Sequence, residues 1–235
     1  MIRVVLVGPR EAANVGMVAR AMKNFGLKEL VLVAPEIRDM SEAYRLSSRA
    51  HDVLERARIV PTLDEAIADC VLVAGTTARR RERYAGLAAT PRAAAGLIRA
   101  AAARGPVALL FGRENFGLFN EELDRCHYVL HIPTAPDYAS LNLAQAVLLV
   151  AYELFQSQAG ALPETDPAPA ASLEAYFRDL EAYLIEIGYT DPPRLPSVMR
   201  HFRRMAHKAL LTEEEVRMLR GLLRQSRWAM GRRRD

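Results

Sequence analysis

The sequence predicts an α/β protein: a mostly parallel sheet with helices on both faces, plus a small helical extension at its C-terminal end. Three observations predict it. Apolar runs of strand length recur through the first 150 residues, helical patterns separate them, and beyond a break rich in Pro and Ala only amphipathic helical patterns remain. Strands that alternate with helices are joined by crossovers, which gives parallel neighbours covered on both faces.

The elements follow in order. Residues 2–7 form a first buried strand, and a helix is expected over 15–25 with Asn14 as its N-cap. A second strand spans 30–33, a helical region 41–55 and a third strand 58–60. Thr62-Leu63-Asp64-Glu65 has capping-box spacing and starts a helix over 63–68. Strand 71–74, helix 91–103 and the fully apolar strand 107–111 come next, then a helix over 121–126 capped by Asn120 and a last strand over 128–132. Residues 140–158 are apolar nearly all round, so that helix is buried on most sides, against the sheet or in a subunit interface. The interface reading is preferred and makes the protein a dimer.

Residues 159–171 carry three prolines among small residues and lose all periodicity, which reads as an extended linker between a domain over 1–158 and a helical domain over 172–235. The latter holds three amphipathic helices. Leu173, Tyr176, Phe177, Leu180, Tyr183, Leu184 and Ile187 line the first; Val198, Phe202, Met205 and Ala209 line the second. The third opens on the capping box from Thr212 to Glu215 and carries Val216, Leu219, Leu223 and Met230.

Composition narrows the class. No apolar run approaches the ~18 residues of a membrane span, and the start lacks the core and cleavage site of a signal peptide. Cys70 and Cys126 read as buried thiols of a reducing compartment, hence a cytoplasmic protein. The net charge of +4 lies wholly in the tail: residues 1–171 hold 19 basic and 19 acidic side chains, residues 172–235 hold 13 and 9. That asymmetry suits an anionic macromolecular partner.

Candidate chemistry gathers where strands end. The loop after the first strand, from Gly8 to Gly16, is neither a dinucleotide fingerprint nor a P-loop. It carries Asn14 and Gly16, then Arg20, which with Lys23 makes a basic face. Gly75-Thr76-Thr77-Ala78 closes a buried strand with small residues, which suits close passage of a ligand. Arg79, Arg80, Arg81 and Arg83 beside Tyr84 can contact phosphates and stack on a base, although a plain solvated loop would look the same. Gly112-Arg113-Glu114 ends the strand over 107–111, with Gly117 as a second permissive position. Glu114 there could bind ribose hydroxyls or a cationic centre, or serve only as a turn carboxylate. Ile132-Pro133 and Ser140-Leu141-Asn142 frame the start of the apolar helix. Ser140 reads as its N-cap, and Asn142 as a buried amide in need of partners. His51, His127, His131, His201 and His207 show no metal spacing, and no metal is called for; nothing supports acyl transfer.

In this order, Asn14…Gly16…Arg20, Gly112-x-Glu114 with Gly117, and Ile132-Pro133…Ser140-Leu141-Asn142 resemble the three motifs of the SpoU branch of the SPOUT methyltransferases. Gly75-Thr76-Thr77-Ala78-Arg79, Asn120-Glu121-Glu122-Leu123, Tyr138-Ala139-Ser140-Leu141-Asn142-Leu143-Ala144 and the tail segments Val198-Met199 and Leu219-Arg220-Gly221-Leu222-Leu223 are similar to the TrmJ-like tRNA 2′-O-ribose methyltransferases. The resemblance implies a sheet whose C-terminal part is threaded into a trefoil knot, a homodimer, and S-adenosylmethionine as cofactor. It implies methylation of the ribose at nucleotide 32 of the tRNA anticodon loop, on cytidine and in some members uridine. Carried onto this chain, Thr76, Thr77, Ala78, Gly112, Ile132, Ala139, Ser140 and Leu141 line the cofactor pocket. Arg20 faces the target ribose with Asn14, Glu114, Ser140 and Asn142 around it. Arg79, Arg80, Arg81, Arg83, Lys23, Arg203 and Arg204 are the expected RNA contacts. Rival readings are methylation of another tRNA or rRNA ribose, a non-catalytic RNA-binding protein of this fold, and a dinucleotide-dependent enzyme.

Overall fold

A computed structural model describes residues 1–78, 84, 87–158 and 166–231. Arg79, Arg80, Arg81 and Arg83, and most of the expected linker, lie outside the described residues. The elements run β1 (Ile2–Val7), α1 (Ala12–Asn24), β2 (Glu29–Val33), α2 (Ser41–Ser47), α3 (His51–Glu55), β3 (Arg58–Val60), α4 (Leu63–Ile67), β4 (Leu72–Thr77), β5 (Ala88–Ala89), α5 (Pro91–Arg104), β6 (Val107–Phe111), α6 (Asn120–Leu123), β7 (Tyr128–His131), α7 (Leu143–Gln156), α8 (Ala170–Glu186), α9 (Leu195–Ala209) and α10 (Glu213–Gly231).

The strands form one sheet in the order β3-β2-β1-β6-β4-β7-β5, and every pairing is parallel. Alternation splits its side chains between two cores. Val4, Leu6, Leu109 and Phe111 face α1, α5 and α7, while Val5, Val7, Ala108 and Leu110 face the side of α4 and α6. Burial on both faces is what makes these strands read as unbroken apolar runs. Because all strands point one way, the loops after β1, β4, β6 and β7 emerge at one carboxyl edge, where α/β sheets bind ligands.

Several boundaries differ from expectation. The helical region 41–55 breaks at Ser48, which holds φ +54°, into α2 and α3. Asn120 does not cap α6 but is its first residue; Glu122 instead accepts from the Phe119 N–H at 2.7 Å. The two-residue β5 went unread because it is too short to show a period.

The tail packs its own core of Leu173, Tyr176, Phe177, Leu180, Leu184, Met199, Ala206, Val216 and Leu223. Within α9 the buried positions are Met199, Ala206 and His207; of the expected stripe Val198 and Phe202 pack partly buried against the tail core, while Met205, 57% exposed, and Ala209 face outward. The expected capping box forms: Glu215 accepts from the Thr212 N–H at 2.7 Å, and its own N–H bonds Thr212 Oγ1 at 3.2 Å. The end of the expected linker is ordered against this tail. Pro167 bridges Thr212, the Ala168 N–H donates to Leu211 at 2.7 Å, and α8 already starts at Ala170.

The tail docks on the sheet domain. The N–H groups of Ala170 and Ala171 donate to the carbonyls of Cys70 (2.9 Å) and Ala68 (3.0 Å). His207 of α9 lies with its ring centroid 4.5 Å from that of His127, at the foot of β7. Both rings are buried, and burial holds the His127 imidazole down at about 4 and His207 well below the ordinary histidine value. Burial likewise pushes the Cys70 thiol up to about 12 and raises Cys126, which makes both unreactive.

Candidate active site

One hydrogen-bond network joins the three sequence motifs. Asn14, 2% exposed inside α1, donates through Nδ2 to Glu114 Oε1 at 3.1 Å and to Glu11 Oε2 at 3.0 Å. Its Oδ1 accepts from Asn142 Nδ2 at 2.9 Å. Glu114 also accepts the backbone N–H groups of Arg10 and Glu11 at 3.2 Å each. These N–H groups precede the start of α1, where the helix dipole and unpaired donors favour an anion. The carboxylate is thereby engaged as an anchor, the turn-carboxylate role, and its Oε1 is taken up by the protein itself.

The two asparagines exchange the roles expected of them. Asn14 is no cap: α1 begins at Ala12, after Glu11, and besides Glu11 the buried amide finds partners 100 and 128 residues away. Ser140 is no cap either, since Asn142 takes that position. Asn142 Oδ1 accepts from the N–H groups of Ala144 (2.9 Å) and Gln145 (3.4 Å), while Gln145 reaches back to the Asn142 N–H at 3.2 Å. That is a capping box. Asn142 thus ties the start of α7 to α1 while Glu114 ties the loop after β6 to the same turn.

Gly112 makes the loop after β6 possible. A Cβ there would lie 2.0 Å from the Gly117 carbonyl carbon, because Arg113 and Gly117 exchange backbone hydrogen bonds of 3.2 and 2.8 Å in a tight hairpin. Arg113, which sequence reasoning passed over, braces it by bonding Glu122 at 2.9 Å and lying 4.3 Å from the Phe119 ring centroid. The space at two other glycines goes to packing and not to a ligand: Gly16 meets the Ala43 backbone, and Gly75 meets Cys126.

A cavity of about 620 Å³ opens beside the network, within the size range of small-molecule sites. Thr76, Thr77, Ala78, Gly112, Ile132, Ala139, Ser140 and Leu141 all line it, as do Glu114, Phe116 and Tyr138. Thr76 Oγ1 donates to the Leu110 carbonyl at 3.0 Å and pins the end of β4 to β6.

The structure does not bring every predicted residue here. Arg20 is exposed on α1, outside both network and cavity, and makes no ion pair or hydrogen bond among the described residues. Lys23, one turn from Arg20 on α1 and likewise exposed, is paired within the protein: its Nζ bonds Asp52 at 2.6 Å and the Arg49 carbonyl at 2.7 Å. Arg203 is committed inside the tail, paired with Glu174 and stacked 4.3 Å from the Phe177 centroid. Arg204 is half-buried in a small cleft with Arg200, His207 and Tyr84.

A parallel sheet whose loops after β6 and β7 are bonded to the loop after β1, around a cavity at the carboxyl edge, is the arrangement of a SpoU-type methylase. The chain belongs to the SpoU rRNA methylase family, whose model matches residues 1–152; the model of the tRNA methyltransferase TrmJ C-terminal domain matches residues 171–235. It is 39% identical over 239 residues to the tRNA (cytidine/uridine/adenosine-2'-O-)-methyltransferase TrmJ of Pseudomonas aeruginosa, covering 96% of this chain and 93% of that one. The crystal structure of TrmJ from Z. mobilis ZM4 matches with a TM-score of 0.86 at 39% identity, over 97% of this chain and 99% of that one. An AdoMet-bound rRNA methyltransferase from Sinorhizobium meliloti shares the fold at 24% identity, with a TM-score of 0.52 over 65% of this chain and 55% of that one.

Proposed function

We propose that this protein transfers a methyl group from S-adenosylmethionine to a ribose 2′-hydroxyl of tRNA, at nucleotide 32 of the anticodon loop, on cytidine or uridine. The observation that carries the reading is the Asn14–Glu114–Asn142 network, which ties three distant motifs together beside a cavity lined by residues of the second and third. The match to TrmJ proteins over both domains supports tRNA as substrate.

The cavity residues suit the cofactor. Main-chain groups exposed by Gly112, Ala78 and Ala139 offer donors and acceptors to an adenosine, while Ile132, Leu141 and Leu143 supply an apolar floor. Bound there, S-adenosylmethionine supplies an electrophilic methyl group. The protein's part is positioning, which can provide roughly 7–11 kcal/mol of a barrier. Glu114 and the two asparagines fix the loops against one another, and Ser140 at the cavity wall offers a hydroxyl to the incoming ribose. Arg20, exposed on α1 and outside the cavity of its own chain, serves in this reading as an orienting donor whose forked N–H groups bind the target phosphate and stabilise the developing alkoxide. A phosphate oxygen or water takes the proton.

The protein acts as a homodimer in the cytoplasm. Leu148, Leu149, Tyr152 and Phe155 on the outer face of α7 are 38–60% exposed, an apolar strip suited to a second copy. The Phe25 ring of α1 adjoins Tyr152 and Phe155 at 5.9 and 5.7 Å and extends it. The place of β7 in the sheet, between β4 and β5, is consistent with the knot expected of the family.

The test is methyl transfer from labelled S-adenosylmethionine to total tRNA, with the modified ribose mapped and the assay repeated on Arg20→Ala. Label at nucleotide 32, lost in the variant while cofactor binding persists, is the expected result. Label elsewhere in tRNA or in rRNA overturns the assignment.

A further inference from the structure

We propose that the Phe116 ring, flanked by the Arg10 guanidinium, is the platform on which the base of the methylated nucleotide stacks. The inference rests on the RNA-methylation reading and adds to it the place of the base. Phe116 is 64% exposed, yet it sits at the tip of the hairpin closed by the two Arg113–Gly117 hydrogen bonds. The fold does not need the ring: Gly112, Gly117 and the Arg113–Glu122 pair hold that hairpin. A solvent-facing aromatic at the tip of a hydrogen-bonded hairpin beside the cavity is a suitable surface for a flat ligand.

Its location specifies which ligand. Phe116 lies two residues from Glu114 and lines the same cavity as Ser140, so a ring stacked on it brings the attached sugar to the cavity mouth. Arg10 lies 5.9 Å from the ring centroid, held by Glu36 at 3.0 Å, and its own N–H bonds Glu114. A cation beside an aromatic face favours a base with its phosphate. Tyr138, 79% exposed on the loop before α7, forms another aromatic part of the rim. Stacking reads every base by its π-face, so such a platform accepts more than one nucleotide identity. Loss of one base stack costs roughly 5- to 150-fold in binding.

The experiment compares wild type, Phe116→Ala and Phe116→Trp on tRNA and on the same tRNA with an abasic ribose at the methylated position. Calorimetry with S-adenosylmethionine, melting temperature and oligomeric state are recorded for each protein. Expected, at S-adenosylmethionine concentrations that the calorimetry shows to saturate each protein, is a fall in kcat/KM of about 5- to 150-fold for Phe116→Ala on intact tRNA, recovery in Phe116→Trp, and unchanged melting temperature and assembly. On the abasic tRNA wild type and Phe116→Ala converge. An equal loss on both RNAs, no loss at all, or a change in assembly overturns the platform while leaving the methyltransferase reading intact. Wild type that methylates no RNA overturns both.

Discussion

Replacing Asn14 with Asp tests the central network most directly, because the change is nearly isosteric and reverses the chemistry of one atom. Nδ2 now donates to Glu11 at 3.0 Å and Glu114 at 3.1 Å. A carboxylate oxygen in its place meets two carboxylates at those distances. At an effective dielectric near 20, two unit charges about 3 Å apart repel by roughly 5 kcal/mol, part of which relaxation and proton uptake relieve. With the lost hydrogen bonds, a net cost of roughly 3 kcal/mol at pH 8 follows, or about 6–12 °C in Tm for a chain of this size. Asn14→Ala removes the same donors without adding charge and costs roughly 2 kcal/mol at any pH. The pH sign is fixed. Like charges raise the folded-state pKa of the new carboxyl, so its penalty is absent below the unfolded carboxyl value of about 4 and grows as pH rises above it. Scanning calorimetry of both variants from pH 8 to pH 5 supplies the measurement, and their difference cancels the titrations outside the cluster of residue 14, Glu11 and Glu114. Asn14→Asp melting with wild type at pH 8, or a gap to Asn14→Ala that fails to narrow on acidification, refutes the network as drawn.

The remaining expectations are briefer. Gly112→Ala forces a methyl to within 2.0 Å of the Gly117 backbone, so calorimetry with S-adenosylmethionine is expected to show at least a tenfold loss of affinity; normal binding would show that the loop adapts. His127 is held at about 4 and His207 well below its usual value, so stability is fully present above about 6.5 and falls as pH drops toward 4, by roughly 3 kcal/mol for His127 alone. His207→Phe should flatten that acid limb in a pH series of melts, and an unchanged limb refutes the assignment. Arg20→Lys should lower kcat at least tenfold with cofactor affinity unchanged; near-wild-type turnover removes the case for a forked contact. The affinity for tRNA in filter binding should fall steeply with salt, in proportion to the phosphates neutralised, and a flat response would show that the basic tail does not touch RNA.

Much of this architecture is legible in the chain. The inner strands stand out because burial on both faces leaves them almost wholly apolar, as in Val107–Phe111, whereas the short edge strand Arg58–Val60 is mostly exposed. Helix starts are less legible. Asn14 has the right residue type for a cap, but Ala12 and Ala13 form helix equally well, so the helix starts upstream and the amide is carried inside. Asn142 carried a usable signal, Gln145 three positions on, which completes a capping box. Only Glu11 among the partners of Asn14 is local; Glu114 and Asn142 belong to tertiary structure and leave no trace near it. Gly112 was legible as a ligand-facing glycine, yet its first constraint is the hairpin beneath it. Lys23 and Arg203 looked like free cations because a sequence shows charges without showing which acids the fold sets beside them, here Asp52 and Glu174.

The junction of α4 and α8 carries a consequence for how the molecule comes apart. The carbonyls of Ala68 and Cys70, just past the end of α4, receive the N–H groups of Ala170 and Ala171 at the start of α8. One helix's finish is thereby stitched to another's beginning across the domain boundary, and peeling the extension away would strand dipoles on both sides at once. The helical appendage and the sheet domain are therefore expected to melt as one cooperative unit, so that mutations loosening one are felt by the other.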